Sequence, residues 1–360
     1  MGDRKKLQRT TRKRRPRQTT GPTVADVARA AGVSPMTVSR VVNGESNVLP
    51  ATRDAVQRAI GALRYAPNSA ARSLAGGKQC RIALIHSNPS AAYLSELLVG
   101  SLAQAAAIDA QLAIEPRDER EYAETLVRRL VQHRIDAVLL PPPHCDEAKL
   151  LAAVERSGLP VAQIATGKPA PFAHAVIIGD EAAAHAMTTH LIALGHRHIG
   201  FIAGNPNQTA SALRRAGHER ALQEAGLTVN ANLVAQGDFT YRSGLDAAET
   251  LLGGNPRPTA LFASNDDMAA AAVAVAHRHR INVPGELSVC GFDDSAMATT
   301  IWPELTTIRQ PVAEMARQAI ALLVSSVRGR AGATALTPQH VRLDFELVHR
   351  NSVGPPPRES

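Results

Sequence analysis

Residues 23–44 read TVADVARAAGVSPMTVSRVVNG, and two helix starts separated by a glycine stop fall within that one stretch. Thr23 stands where an N-cap belongs, Asp26 completes a capping box, and Val24, Val27, Ala28 and Ala31 then share one helical face. Gly32 stops that helix. Ser34 and Pro35, a capping serine and a first-position proline, start a second one at once, with Val38, Val41 and Val42 as its apolar face. A third amphipathic helix is predicted from about Ala51 to Arg64, with Val56, Ala59, Ile60 and Leu63 at core spacing. Three short helices with a tight glycine turn between the first two make a helix-turn-helix. The second helix of such a unit lies in the major groove of DNA, so Ser34, Met36, Thr37, Ser39 and Arg40 are expected to face base edges and phosphates. Arg40 can present two donors to a guanine, and Met36 can lie against a thymine methyl.

Charge is concentrated ahead of this unit. Residues 1–20 hold nine basic side chains against Asp3 alone, a net +8 that equals the charge of the whole chain. Such a segment is too polar to fold and is expected to be a disordered arm, solvated or lying along a polyanion. The chain as a whole is 44% apolar and 20% charged, which suits a core-forming protein. No apolar run reaches the length of a membrane span, and no secretory signal opens the chain, so a cytoplasmic protein with no membrane partner is expected. Cys80, Cys145 and Cys290 are widely spaced and odd in number, which indicates reduced thiols rather than a disulfide framework or zinc site. The histidine pairs His196/His198 and His277/His279 have no acidic or cysteine partner nearby in the sequence, so no metal is expected. No G-x-G-x-x-G, Walker A or G-x-S-x-G motif occurs, and no cofactor or enzymatic chemistry is expected.

Beyond residue 80, the apolar runs RIALIH, IDAVLL, VAQIA, AVIIG, HIGFIAG, TALFAS and LSVCGF alternate with helical patterns such as AETLVRRLVQH and MAAAAVAVAHRHR. Alternation of this kind predicts parallel sheets covered by helices on both faces, with ligands held beyond the carboxyl ends of the strands. Asn265 and Asp293 both follow strand ends there, and Arg214 opens a helix with a guanidinium fork suited to two adjacent oxygens.

The segments TVADVARAAGVSPMTVSRVVNG, TRDAVQRAIGALRYAPNSAARSLAGGK, LGHRHIGFIAG, RRAGHERAL, LFASNDDMA, VCGFDD and LTTIRQP stand in the order and spacing of one family. The chain resembles the LacI/GalR family of bacterial transcription regulators from Thr23 to about Val353. The resemblance implies an α/β protein with an all-α helix-turn-helix headpiece and hinge helix, followed by a periplasmic-binding-protein-like core of two subdomains with parallel sheets. Expected boundaries are an arm at 1–20, DNA-binding domain at 21–66, hinge and linker at 67–80, effector-binding and dimerisation domain at 81–353, and tail at 354–360. Thr23, Asn43 and Tyr65 complete the expected DNA-contacting set. The hinge segment PNSAARSLAGG is about two turns long, too short to be helical alone in water. By resemblance, two hinge helices of a dimer pair in the minor groove, and Leu74 of each wedges into the central base step. The implied partners are a pseudo-palindromic operator in double-stranded DNA, a second copy of the chain, and a small effector that acts as inducer or corepressor. Phe239, Gln310, Ser87 and Tyr93 match positions that line the family's cleft and join Arg214, Asn265 and Asp293 as candidates. A sugar is the expected effector, with a purine as the alternative, because Tyr93 also matches an aromatic of the family's purine-responsive pocket.

Overall fold

The structure is a computed structural model that describes residues 22–42, 48–65, 79–87, 90–118, 120–331 and 337–357. The basic arm, Asn43, and the hinge with Leu74 lie outside the described residues. The chain divides into two compact units, Met1–Gln79 and Cys80–Ser360.

In the first unit the predicted start and stop signals form as read. Helix α1 (Val24–Ala31) carries the complete Thr23–Asp26 capping box and ends at Gly32, whose left-handed φ of 67° is the conformation glycine adopts without a Cβ penalty. Helix α2 (Pro35–Val42) begins after Ser34, whose hydroxyl accepts the Thr37 amide at 3.1 Å. Helix α3 (Pro50–Ala62) supplies Val56 and Ala59 to a small core with Val27, Ala28, Val38 and Val41.

The second unit starts with β1 (Cys80–His86), α4 (Ala91–Ala107), β2 (Ala110–Pro116), α5 (Ala123–Gln132), β3 (Ala137–Leu140), a short 3-10 helix (His144–Asp146), α6 (Ala148–Ser157), β4 (Val161–Ile164) and β5 (His174–Ile177). It continues with α7 (Asp180–Ala193), β6 (Ile199–Ala203), α8 (Thr209–Glu224), β7 (Val234–Gln236), α9 (Tyr241–Leu252), β8 (Ala260–Ala263), α10 (Asp266–Arg278), β9 (Ser288–Cys290), α11 (Ala296–Thr300) and β10 (Thr307–Arg309). Helix α12 (Val312–Ala331), β11 (His340–Arg342) and β12 (Glu346–Val348) complete it.

Two parallel sheets result, in the orders β2-β1-β3-β4-β5-β11 and β7-β6-β8-β9. Each begins with the same winding: its first strand lies between the second and third, so the two lobes repeat one topology. Helices cover both faces, α4 and α12 against α5 and α6 in the first lobe, α7 and α8 against α9 and α10 in the second. The chain crosses between lobes three times: after β5, between β10 and α12, and between β11 and β12. All seven apolar runs read from the sequence form strands. The edge strand β2 escaped that reading because AQLAIEP is half-exposed and mixes polar with apolar residues, and β7, β10, β11 and β12 are three residues each.

Candidate functional site

The carboxyl ends of the two sheets line a pocket between the lobes. Ser90 and Tyr93 follow β1, Pro142 follows β3 and Ala165 follows β4. From the other lobe, Gln208, Ala210 and Arg214 follow β6, and one residue each follows β7, β8 and β9: Phe239, Asn265 and Asp293. Gln310, just past β10, completes the wall. Strand-end placement is what parallel α/β sheets provide, since the loops there vary while the sheet stays fixed.

Arg214 is the organising charge of the pocket. Only 4% exposed, it donates from Nε to Asp180 Oδ1 at 2.9 Å and from Nη1 to the Ser264 carbonyl at 2.6 Å. Its guanidinium lies 3.6 Å from the ring centroid of Phe292, and Asp293 Oδ1 stands 3.7 Å from Nη1. Asp293 also accepts from Gln310 Nε2 at 2.5 Å. Burial pushes the Asp293 carboxyl up to about 7, against the pull of Arg214 and the Gln310 hydrogen bond. Burial raises Asp180 as well, and burial together with the nearby Asp293 carboxylate raises Asp266 well above its ordinary value. Asp293 and Phe239 both hold left-handed backbone, φ 113° and 72°, the kind of local strain that recurs at binding sites.

Two polar atoms of the wall have no hydrogen-bond partner among the described residues: the hydroxyl of Tyr93 and Oε1 of Gln310. Burial and the nearby Asp293 carboxylate raise the Tyr93 phenol well above its ordinary value, so it stays a donor. Gln310 Oε1 is an acceptor. Asn265 is more committed, because its Oδ1 caps α10 at the Met268 amide and its Nδ2 donates to the Phe239 carbonyl at 2.9 Å, leaving one amide hydrogen.

Six of the seven expected pocket residues therefore line the cavity, and Ser87 does not. Its hydroxyl is hydrogen bonded to His144 Nε2 at 2.7 Å, in a chain that continues from His144 Nδ1 to Glu147 at 3.1 Å and from Glu147 to Arg117 at 2.6 Å. Sequence reasoning missed Ser90, Pro142, Ala165, Gln208 and Ala210. Their positions just after strands were the available signal.

In the headpiece, Thr23, Ser34, Met36 and Arg40 are exposed, with Met36 at 66%, while Thr37 and Ser39 are half-buried. Arg40 Nη2 lies 3.8 Å from Met36 Sδ, one turn apart on the same face. Tyr65 is 8% exposed and packs in the three-helix core with Val56 and Ala59. Among the described residues no cluster of three or more histidine, cysteine or acidic side chains could hold a metal ion. No helix among them is long and apolar enough to cross a membrane.

A helix-turn-helix joined in one chain to a two-lobed core with a cleft pocket is the make-up of a transcription regulator. Residues 23–68 match the model for bacterial regulatory proteins of the lacI family, and residues 188–353 match a periplasmic binding protein-like domain. Catabolite control protein A of Priestia megaterium is 32% identical, over 90% of this chain and 98% of its own. A solved complex of the transcriptional regulator CelR with cellobiose is 33% identical, with a TM-score of 0.70, over 92% of this chain and 99% of that one. The lac repressor dimer bound to operator and the anti-inducer ONPF is 28% identical, with a TM-score of 0.74, over 93% and 100%. The chain belongs to the LacI family of bacterial regulatory proteins. It is a DNA-binding transcription regulator and not an enzyme.

Proposed function

We propose that the chain is a repressor whose operator affinity is set by a neutral sugar bound between the two lobes. The observation that carries the ligand class is the pairing of a buried donor, Tyr93 Oη, with a buried acceptor, Gln310 Oε1, in one pocket wall. Beside them, Arg214 is already engaged by Asp180 and lies 3.7 Å from Asp293. A hydroxyl-rich ligand satisfies both orphan atoms, and a phosphorylated or carboxylate ligand finds the pocket's cation already taken. The likeness to a CelR–cellobiose complex supports the same class. Titration calorimetry with glucose, galactose, cellobiose and hypoxanthine tests it: binding of at least one sugar is expected, abolished by Asp293→Ala with operator affinity of the free protein intact. Binding of hypoxanthine alone would overturn the sugar reading.

For DNA, we assign residues 21–66 to operator contact, 67–80 to a hinge in which Leu74 wedges into the operator, and 81–353 to effector binding and dimerisation. Ser34, Met36, Thr37, Ser39 and Arg40 form the reading face, with Thr23 and Asn43 flanking it. Arg40→Ala should cost about 1–3 kcal/mol on the operator and little on random DNA. Equal losses on both would remove Arg40 from base readout. A homodimer on a pseudo-palindromic site is supported by α4, whose exposed face carries Ser95, Val99, Leu102, Ala103 and Ala106 without a charge. Val99 and Leu102 are 61% and 53% exposed there, as large as apolar exposure becomes on this lobe outside Tyr122. A regulator of this kind works where the chromosome lies, in the bacterial cytoplasm.

A further inference from the structure

We propose that Asp146 is a positioning residue for the effector cleft: from the first lobe it caps helix α8 of the second, and so sets how far the lobes close. The proposal rests on the reading of the cleft as the effector site. Gln208, the N-cap residue of α8, contributes no side-chain cap, so the first amides of that helix need another acceptor. Asp146 supplies it across the cleft. Its Oδ2 accepts from the Thr209 amide and from Thr209 Oγ1, both at 2.8 Å, while Oδ1 accepts from Thr166 Oγ1 of its own lobe at 2.6 Å. Every bond is received, which an ionised carboxylate can do and an amide cannot. Negative charge at the start of α8 also suits the helix dipole.

A second feature meets at the same place. The Gly167 amide donates to Thr209 Oγ1 at 2.6 Å, and a Cβ on Gly167 would stand 2.7 Å from Leu213 Cδ1 and 3.1 Å from the Thr209 carbonyl carbon. The lobes thus touch backbone to helix, where a methyl group would press on the Leu213 side chain and on Thr209. Behind the contact, the 3-10 helix bearing Asp146 is held by the Ser87–His144–Glu147–Arg117 chain and by Gln163 Nε2, which donates to the Cys145 carbonyl at 2.5 Å. The clasp is therefore anchored in the first lobe.

None of Asp146, Gly167 and Thr209 lines the pocket, yet their sequence neighbours Ala165, Gln208 and Ala210 do. Loosening the clasp shifts α8, and with it Arg214, without removing a ligand contact. Hydrogen exchange read by mass spectrometry on the full-length protein tests this directly, because the Thr209 and Gly167 amides are themselves bonded across the cleft. Asp146→Asn and Gly167→Ala should each speed exchange at both amides roughly tenfold, with β8 unchanged. In any sugar the wild type binds from the panel above, affinity should fall by a similar factor. Unaltered exchange at Thr209 would overturn the clasp, and so would faster exchange spread through β8, which marks general loosening. If the wild type binds no sugar, the ligand reading fails by itself, and the exchange measurement still decides the role of Asp146.

Discussion

The recognition helix and the cleft use similar side chains on opposite plans. On α2 and its N-cap, Ser34 and Arg40 are exposed, and Ser34 Oγ meets Thr37 Oγ1 at 2.9 Å and Arg40 meets Met36, each within a turn. In the cleft, Arg214 is buried and bonds to residues 34 and 50 positions away, Asp180 and Ser264. Water screens the first set and leaves it available to DNA, whereas low dielectric makes each partner in the second set necessary to the others. A polar group on the headpiece is therefore separable from folding. A polar group in the cleft belongs to the fold and the site at once.

Removing the cleft's cation is the strongest way to break this contrast. Arg214→Met keeps much of the side-chain volume but leaves Asp180 and Asp293 as buried carboxylates without their counter-charge, and should destabilise the core by about 3–5 kcal/mol. Arg40→Met on the exposed helix should change stability by less than about 0.5 kcal/mol. Urea unfolding followed by circular dichroism compares the two. Similar losses in both variants would mean that burial does not separate the two polar sets.

A smaller effect sharpens the comparison through pH. Asp293 titrates near 7 in the folded chain and near 3.8 as a free side chain, so the folded state holds a proton that the unfolded state has lost between those values. Stability should then fall as pH rises from about 4 through 7 and level off above, with Asp180 and Asp266 shifted in the same direction. Asp293→Asn should flatten that slope. A sugar whose hydroxyls donate to the ionised carboxylate would lower its pKa, so binding should release protons near pH 7. Thermal unfolding between pH 4 and 8 checks the first statement, and calorimetry in buffers of different ionisation enthalpy checks the second. An unchanged slope in the variant would place the titration elsewhere.

How much of each region could be read in advance follows from the same contrast. The headpiece was legible because its signals are local: Thr23 with Asp26, Gly32, and Ser34 with Pro35 lie within a turn of what they control. The cleft was legible only in part. Strand ends pointed to Asn265 and Asp293, the guanidinium fork to Arg214, and the family resemblance brought in Phe239, Tyr93 and Gln310. Ser90 and the Asp146 clasp went unseen, since their partners lie tens of residues or more away: Ser90 donates to Asp267 Oδ2 at 2.6 Å over 177 positions, and Asp146 accepts from the Thr209 amide over 63. The burial of Tyr65 and the Ser87–His144 bond were unseen for a related reason. A tyrosine or serine near an expected interface carries no mark of whether the core or a buried histidine takes it instead.

The smallest expected effect isolates a purely local term. At Gly32 a Cβ would find nothing within 4 Å, so packing does not object to alanine there. The backbone does, because φ is 67° and an alanine in that left-handed conformation is strained by roughly 1 kcal/mol. Gly32→Ala should cost the headpiece about that much and leave the core's unfolding unchanged. The loss should also appear in operator affinity only so far as it changes the folded fraction, since α1 and α2 keep their faces. Thermal melts of the full-length protein, with the headpiece transition followed separately by exchange at the Val33 amide, supply the measurement. That amide donates to the Ala28 carbonyl at 3.0 Å across the turn, so its protection reports the C-cap directly. Full protection in the alanine variant would show that the turn between the two helices is held by packing of Val27 and Val38, and not by the conformation of the glycine.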